Sequence, residues 1–318
     1  MQSLRRPRRN DLGPRASLMS RCRPFDGAFQ INRETELVMF IAKSLLISVI
    51  AAGALSFIGD APSSLVWEVE TVDLPPRAFN YRMAGEFHLM GRPVDAPTVT
   101  ITRGLPLRIM KRQVTTAEFG RCVTAGECKQ TSPNGMSAPD LPVVNVSWDD
   151  ATSYAAWLSK ETGYSWRLPT DEEWALAAGS RFHDDALSIA ATSDPSIRWL
   201  ARYEKETGGT SLDRRPRPVG SFGENEYGLL DLSGNVWEWT NTCFIRQALH
   251  ENGRPVGVPI TNCGVRVAEG AHRAYVTDFI RDASNGGCAV GKPPSNLGFR
   301  LIREGAPAVL ISMLKGLF

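Results

Sequence analysis

The sequence predicts an α+β domain with an unusually large share of irregular structure. Three short segments carry helix-capping signals, and alternating segments at 78–90 and 98–114 predict strands. Beyond residue 179 glycine, proline and asparagine become frequent and the regular hydrophobic pattern fades. A chain that is 42% hydrophobic and 22% charged, with a net charge of +2, is ordinary for a globular protein, and the main domain has no nucleic-acid-binding charge pattern.

The helices are predicted from their capping residues, in chain order. A threonine and a glutamate three residues later form a capping box that begins a helix over 115–123. Ser147 precedes a second helix, which Gly163 ends. A second Thr-x-x-Glu box begins a third helix over 170–179. These three helices separate the predicted strands from the loop-rich C-terminal part.

The N-terminus predicts export. Residues 1–38 carry eight arginines against four acids, and this extension is either disordered or the result of a start codon placed too early. In residues 39–61 one lysine precedes an apolar run of about fifteen residues, the layout of a signal peptide or signal anchor. A linker is predicted over 62–73 and a loosely packed tail over 305–318. We therefore expect a periplasmic or extracellular protein, in contact with a membrane only through 39–61 and anchored there if that segment is not cleaved.

The cysteines agree with an oxidising compartment. Cys122 and Cys128 flank a short helix-to-turn stretch and predict a local disulfide. Of the three cysteines that follow, Cys243 and Cys263 are the favoured pair, and Cys288 is the alternative partner for either. A metal site is the competing interpretation, but the CxxC spacing is missing from the sequence.

Three stretches taken together resemble the formylglycine-generating enzymes, also called sulfatase-modifying factors. They are LPVVNVSWDDATSYAAWLSKETGYSWRLPTDEEWALAA at 141–178, YGLLDLSGNVWEWT at 227–240 and NLGFRLIRE at 296–304. The resemblance covers the domain predicted at 74–304. It implies a variant of the C-type-lectin-like fold, with small antiparallel sheets, few helices and long ordered loops.

Six residues of these stretches have a structural interpretation. The arginines are expected to form buried or half-buried salt bridges and to anchor loops. The tryptophans fill the core, and the asparagine suits a tight turn before an extended segment. These residues are Arg167, Trp174, Asn235, Trp237, Trp239 and Arg300.

The resemblance also implies a calcium ion in the segment DLSGNVWE. Calcium prefers carboxylate and carbonyl oxygens, and the implied ligands are Asp231, Leu232, Gly234, Val236 and Glu238. The alternative is structural: Asp231 caps the turn and Glu238 pairs with Arg300 or another arginine.

The copper chemistry of the family is not expected. Oxygen-dependent members hold copper between two cysteines, and those positions read Tyr275 and Ile280 in this sequence. We also expect no histidine-bound iron, because the four histidines of the sequence form no HxxxH pattern.

The stretch VRVAEGAHRAYV, at 265–276, lies where relatives build their active site. Glu269, His272, Arg273 and Tyr275 could form an acid–base and anion-binding centre, with His272 as general base and Tyr275 as acid. The alternative is a plain strand whose alternate positions face solvent. Two hypotheses follow: an accessory or binding protein for a peptide, a protein or a small peptide-derived ligand, or an exported enzyme with altered oxidative chemistry on a peptide or peptide-derived metabolite.

Overall fold

The computed structural model describes residues 69–131, 138–189, 194, 196–198, 200–201, 204, 215–281 and 296–305. The predicted N-terminal extension, the export segment, the first part of the linker, Cys288 and the tail beyond residue 305 lie outside these residues. No helix in the described part combines the length and apolar character needed to span a bilayer.

The three helices begin and end at the predicted capping residues. They are α1 (Thr116–Thr124), α2 (Trp148–Thr162) and α3 (Asp171–Ala178), followed by a 3₁₀ turn at Gly179–Arg181. Each α-helix has a complete capping box at its N-terminus, in which the N-cap hydroxyl and the N3 carboxylate satisfy two backbone N–H groups. Helix α2 ends at Gly163, which adopts the left-handed conformation with φ 71°.

The strands form three small, mostly antiparallel sheets. The strand bounds are β1 Thr71–Leu74, β2 Arg77–Arg82, β3 Glu86–Leu89, β4 Arg92–Val94, β5 Thr98–Arg103, β6 Leu107–Met110, β7 Ser165–Arg167, β8 Trp237–Leu249, β9 Pro255–Glu269, β10 Arg273–Thr277, β11 Leu297–Gly298 and β12 Ile302–Glu304. The first sheet has the order β1-β6-β12-β7, the second β10-β9-β8-β3-β4 with β11 beside β8, and the third β2-β5. Only the β3–β8 and β11–β8 pairs are parallel among the described strands.

Two sequence-based predictions are corrected here. The predicted linker at 62–73 is wrong at its C-terminal end, because β1 begins at Thr71 and pairs with β6. The alternative left open for 265–276, a plain strand, is wrong, because this stretch is a hairpin in which Glu269 stands opposite Arg273. The chain reverses at Gly270, where a Cβ atom would lie 2.6 Å from the Trp237 ring, so only glycine fits this close approach.

Two apolar clusters hold the helices against the sheets. In the first, Phe119 of α1, Tyr154 of α2 and Phe299 pack as an aromatic group with ring centroids 5.5–6.3 Å apart. In the second, Trp174 of α3 packs against residues of β1, β6 and β12. The second cluster fixes α3 against the sheets, so the N-terminus of this helix is in a defined position.

Candidate functional site

The structure brings together three of the four residues predicted to be catalytic. Glu269, Arg273 and Tyr275 lie in the β9–β10 hairpin and have exposures of 0%, 2% and 6%. The sequence had left open that alternate positions of this stretch face solvent; these three positions face the interior. They form a cluster with three residues from distant parts of the chain, which we call the Arg273 cluster: Arg273, Glu269, Tyr275, Tyr81, Asp171 and Asp185.

The guanidinium of Arg273 is the centre of this cluster. Four of its five N–H groups donate hydrogen bonds, and Nη2 also forms an ion pair with Asp171. The hydrogen-bond acceptors are Glu269 Oε1 at 3.0 Å from Nε, Met83 O and Asp185 Oδ1 each at 3.2 Å from Nη1, and Arg82 O at 3.0 Å from Nη2. Asp171 Oδ2 lies 2.8 Å from Nη2. Burial by itself lowers the pKa of Arg273, but Asp171 and Glu269 outweigh it and hold that pKa well above its ordinary value. Every nitrogen of the guanidinium therefore already has a protein partner.

Glu269 and Asp171 share this one guanidinium as a buried carboxyl pair. Both side chains are fully buried, and burial, followed by the charge of Asp171, raises the pKa of Glu269 well above its ordinary value. Glu269 Oε2 is buried and receives no hydrogen bond from any donor in the described part of the chain. A proton on this atom, donated toward Asp171, accounts for the arrangement, since two adjacent ionised carboxylates would repel each other.

Tyr275 stands at the position that the resemblance assigns to the first copper-binding cysteine. Its hydroxyl donates to Asp185 Oδ2 at 2.8 Å and accepts from the N–H of Gly85 at 2.8 Å. Burial, together with the nearby Asp185 carboxylate, raises the pKa of Tyr275 well above its ordinary value. The hydroxyl is therefore a hydrogen-bonded structural group with its proton firmly held.

His272 is separated from the other three by its contacts. It lies in the turn of the hairpin, where its ring meets Trp237 edge-on with centroids 4.8 Å apart. Its Nδ1 is 2.9 Å from the carbonyl oxygen of Arg273. This arrangement gives His272 and Tyr275 different surroundings, whereas the predicted acid–base pair needs them side by side.

The sequence did not reveal the partners from outside the hairpin. Tyr81 belongs to β2, Asp171 begins α3, and Asp185 follows the 3₁₀ turn; the hydroxyl of Tyr81 donates to Asp171. Burial and the Asp171 charge raise the pKa of Tyr81. One signal was available, because α3 opens with three consecutive acids, more than a helix N-terminus uses for its own capping and dipole. Nothing in the sequence marks Tyr81 or Asp185.

The loop predicted to hold calcium has an unusual backbone. Asp231, Ser233 and Asn235 all have positive φ, between 58° and 62°. The carboxylate of Asp231 accepts the backbone N–H groups of Gly220 at 2.5 Å and Phe222 at 2.8 Å. Asp231 thus caps the neighbouring turn, as the structural alternative proposed, and its carboxylate is already hydrogen-bonded.

Glu238 is a buried carboxylate whose hydrogen-bonding capacity is filled by N–H donors. It is 1% exposed and its two oxygens accept four N–H groups. The donors are Arg300 Nε at 2.6 Å, Arg300 Nη2 at 2.7 Å, Gln113 Nε2 at 2.8 Å and Trp174 Nε1 at 3.0 Å. A calcium ion needs lone pairs that this carboxylate has committed to N–H donors, so Glu238 as arranged does not fit a calcium ligand. The calcium site, including the carbonyls of Leu232, Gly234 and Val236, stays a prediction from the resemblance.

The arginines and tryptophans of the motifs have the expected structural contacts. Arg167 Nη1 lies 2.6 Å from Glu173 and its Nε lies 2.5 Å from Glu304. Arg300 also donates to the carbonyl oxygens of Leu230 and Lys111, which ties two loops to the core. Trp174 and Trp239 are fully buried, and Trp237 is partly buried against the hairpin turn.

Both favoured disulfides are formed. Cys122 pairs with Cys128 at the end of α1, and Cys243 pairs with Cys263 between β8 and β9. Over the described ranges, no group of three or more histidines, cysteines and acids is arranged to hold a metal ion. Ile280, to which the resemblance assigns the second copper-binding cysteine, packs against the first apolar cluster.

The capped helices and the small, mostly antiparallel sheets agree with the fold that the resemblance to the sulfatase-modifying factors implies. Residues 69–305 match the family described as the sulfatase-modifying factor enzyme 1-like domain, and the chain belongs to this family. It is 34% identical over 172 residues to the inactive C-alpha-formylglycine-generating enzyme 2 of Bos taurus, a match that covers 50% of this chain and 54% of that protein. It is 30% identical over 182 residues to the formylglycine-generating enzyme of Bos taurus, covering 54% of this chain and 46% of that enzyme.

Among solved structures, PvdO from Pseudomonas aeruginosa is similar with a TM-score of 0.47 and 23% identity, over 74% of this chain and 94% of that one. The matches to the two Bos taurus proteins span about half of those proteins' length.

Proposed function

We propose that this chain is an accessory or binding protein of the sulfatase-modifying factor family that does not form formylglycine. It holds a peptide, a protein or a small peptide-derived ligand on its loop surface. It works in the periplasm or outside the cell, brought there by residues 39–61. The two disulfides, which are typical of oxidising compartments, support this location.

The observation that carries the proposal is that the polar groups of the Arg273 cluster are buried or partly buried and bonded to one another. A catalytic acid, base or anion-binding group must reach the substrate with a free lone pair or a free N–H. Every guanidinium nitrogen of Arg273 already has a protein partner, and the hydroxyl of Tyr275 is hydrogen-bonded to Asp185 and Gly85. The positions where relatives carry reactive cysteines therefore hold packed side chains.

The relatives lend further support. Proteins named inactive formylglycine-generating enzyme 2, from mouse and cattle, are 33% and 34% identical to this chain over the matched segments. The sequence-based alternative, an oxidoreductase built on His272 and Tyr275, draws no support from the separate surroundings of those two side chains.

The test is a combined turnover and binding assay with the purified chain. A synthetic peptide that contains a cysteine is incubated with the chain, copper and a thiol reductant under air, and aldehyde is measured with an aminooxy probe and mass spectrometry. We expect no aldehyde above the protein-free control. Copper-dependent aldehyde formation would overturn the proposal.

Binding is measured separately by fluorescence anisotropy, with the peptide cysteine replaced by serine. Saturable binding without turnover supports a peptide-binding accessory role, and lack of binding removes this peptide class as the ligand. His272→Ala serves as the matched variant: with correct folding and unchanged binding it argues against a role for this histidine, whereas a specific loss of function would restore the enzymatic alternative.

A further inference from the structure

The two disulfides of the chain have opposite environments. Cys122 is 0% and Cys128 8% exposed, so both sulfurs of that pair are shielded within the first apolar cluster. Cys263 of the second pair is exposed and Cys243 is half-buried. An attacking thiolate can therefore reach the sulfur of Cys263 directly, but it cannot reach the Cys122–Cys128 pair without opening the core.

A guanidinium is held against the less exposed sulfur. Arg266 stands opposite Cys243 in the β8–β9 register, and its Nη1 donates to Cys243 Sγ at 3.1 Å and to Asn241 O at 3.1 Å. The guanidinium also stacks over the Trp148 ring, 4.0 Å from the ring centroid. These contacts fix a positive charge at hydrogen-bond distance from one of the two sulfurs.

We propose that Cys243–Cys263 is a thiol–disulfide exchange site, which low-molecular-weight or protein thiols reduce by attack on Cys263. The thiolate forms a bond to Cys263 Sγ, the bond between the two cysteines breaks, and Cys243 leaves as the thiolate. A second reagent thiolate then attacks the mixed disulfide at the sulfur that came from the first reagent thiol. This releases reduced Cys263 and the oxidised disulfide of the reagent, so two electrons and two protons pass to the protein.

Arg266 directs this reaction because it stabilises negative charge on the sulfur that leaves. Exchange is faster when the leaving thiolate is more stable, and cationic neighbours stabilise thiolates. Burial lowers the pKa of Arg266, and the carboxylates of Asp278 and Asp149 offset part of that lowering. An arginine guanidinium stays protonated at neutral pH in either case. The site is distinct from the Arg273 cluster, and it is independent of which ligand the domain binds.

The experiment exposes the folded, oxidised chain to graded glutathione, followed by acid quenching, differential alkylation and peptide mass spectrometry. Cys122–Cys128 is the internal control in every sample. We expect Cys243–Cys263 to open while Cys122–Cys128 stays closed, with the first glutathione adduct on Cys263. Simultaneous opening of both pairs, earlier opening of Cys122–Cys128, or an adduct first on Cys243 would each overturn the proposal.

Two substitutions test the role of the charge. Arg266→Met should slow the opening of Cys243–Cys263 by roughly three- to thirtyfold, because one nearby cation stabilises an anion by about one to three orders of magnitude and the rate follows only part of that. Arg266→Lys retains the charge and should stay closer to the unmodified protein. Equal rates in all three proteins would show that the guanidinium does not act on the leaving sulfur. If Arg266→Met does not fold, the adduct position in the unmodified protein still decides the direction of attack.

Discussion

Replacing Glu269 by glutamine should make the chain more stable at neutral pH. The ordinary pKa of this carboxyl is 4.5, and burial next to Asp171 raises its pKa in the folded state. A group whose pKa is raised on folding contributes its full stability below the unfolded pKa and loses that contribution as the pH rises toward the folded pKa. Glutamine keeps the shape and a neutral N–H that can donate to Asp171, but it does not titrate.

The magnitude follows from the linkage between proton binding and folding. Within the window between 4.5 and the folded pKa, each pH unit costs the unmodified protein about 1.4 kcal/mol of unfolding free energy. Glu269→Gln removes this slope. The variant should match the unmodified protein to within about 1 kcal/mol near the unfolded pKa, where both are neutral at this position, and gain on it as the pH rises.

The assay is urea unfolding followed by circular dichroism at a series of pH values from about 4.5 to 8.5, with both disulfides intact. Glu173→Gln is the matched control. Burial alone would raise the pKa of Glu173, but hydrogen bonds from Arg167 and the N–H of Thr170 lower it below its ordinary value. Its stabilisation is therefore present above the unfolded pKa and is lost only as the pH falls through the folded pKa, which lies below this series. Glu173→Gln should therefore be less stable than the unmodified protein by a nearly constant amount across the series.

The required result is a gain in stability that grows with pH for Glu269→Gln, beside a nearly constant loss for Glu173→Gln. If Glu269→Gln loses stability by a similar amount at every pH, or leaves the pH dependence of the unmodified protein unchanged, then Glu269 is not the proton-bearing member of the pair. The proton would then have to be placed elsewhere in the Arg273 cluster.

Three further predictions concern buried hydrogen bonds and the calcium loop. Arg300→Met leaves Glu238 without its cation and should lower the unfolding free energy measured in urea by about 3–5 kcal/mol. A loss of no more than about 1 kcal/mol would contradict the buried ion pair. Tyr275→Phe leaves Asp185 without its hydroxyl donor and should cost about 1–3 kcal/mol, and an unchanged unfolding free energy would refute this bond. Because the carboxylate of Glu238 is saturated by N–H donors, a calcium chelator should leave the midpoint temperature of thermal unfolding unchanged. If calcium raises this midpoint and Asp231→Asn abolishes the rise, the calcium site implied by the resemblance is restored.

Local signals were sufficient for the parts of the fold that depend on neighbours in the chain. The capping boxes at Thr115, Ser147 and Thr170 gave the three helices correctly, since a helix N-terminus is decided by residues three positions apart. The two disulfides were also predicted correctly. The hairpin at Gly270 was missed because alternation continues on both sides of the turn, and the Trp237 ring that the turn approaches comes from another strand.

The composition of the Arg273 cluster could not be read from the sequence. Glu269, Arg273 and Tyr275 lie close together along the chain, and this proximity predicted an acid–base and anion-binding centre. Their burial gives them a structural role instead. The charge of Arg273 is balanced by Asp171, 102 positions away, and Tyr275 donates to Asp185, 90 positions away. Long-range polar contacts of this kind leave no periodic pattern, because the partners come from separate segments of the chain.

The geometry of Arg273 explains why altered chemistry at this place is disfavoured even though every residue there is titratable. Its guanidinium binds the carbonyl oxygens of Arg82 and Met83, at the end of β2 and just after it, and the carboxylate of Asp171 at the start of α3. One side chain thus joins the hairpin to two segments that are distant in the chain. Moving the guanidinium toward a substrate would leave the buried carboxylate of Asp171 without its cation, which costs several kcal/mol. The binding of a ligand would have to offset that free-energy cost before any reaction began. A ligand-binding surface outside this cluster avoids the cost.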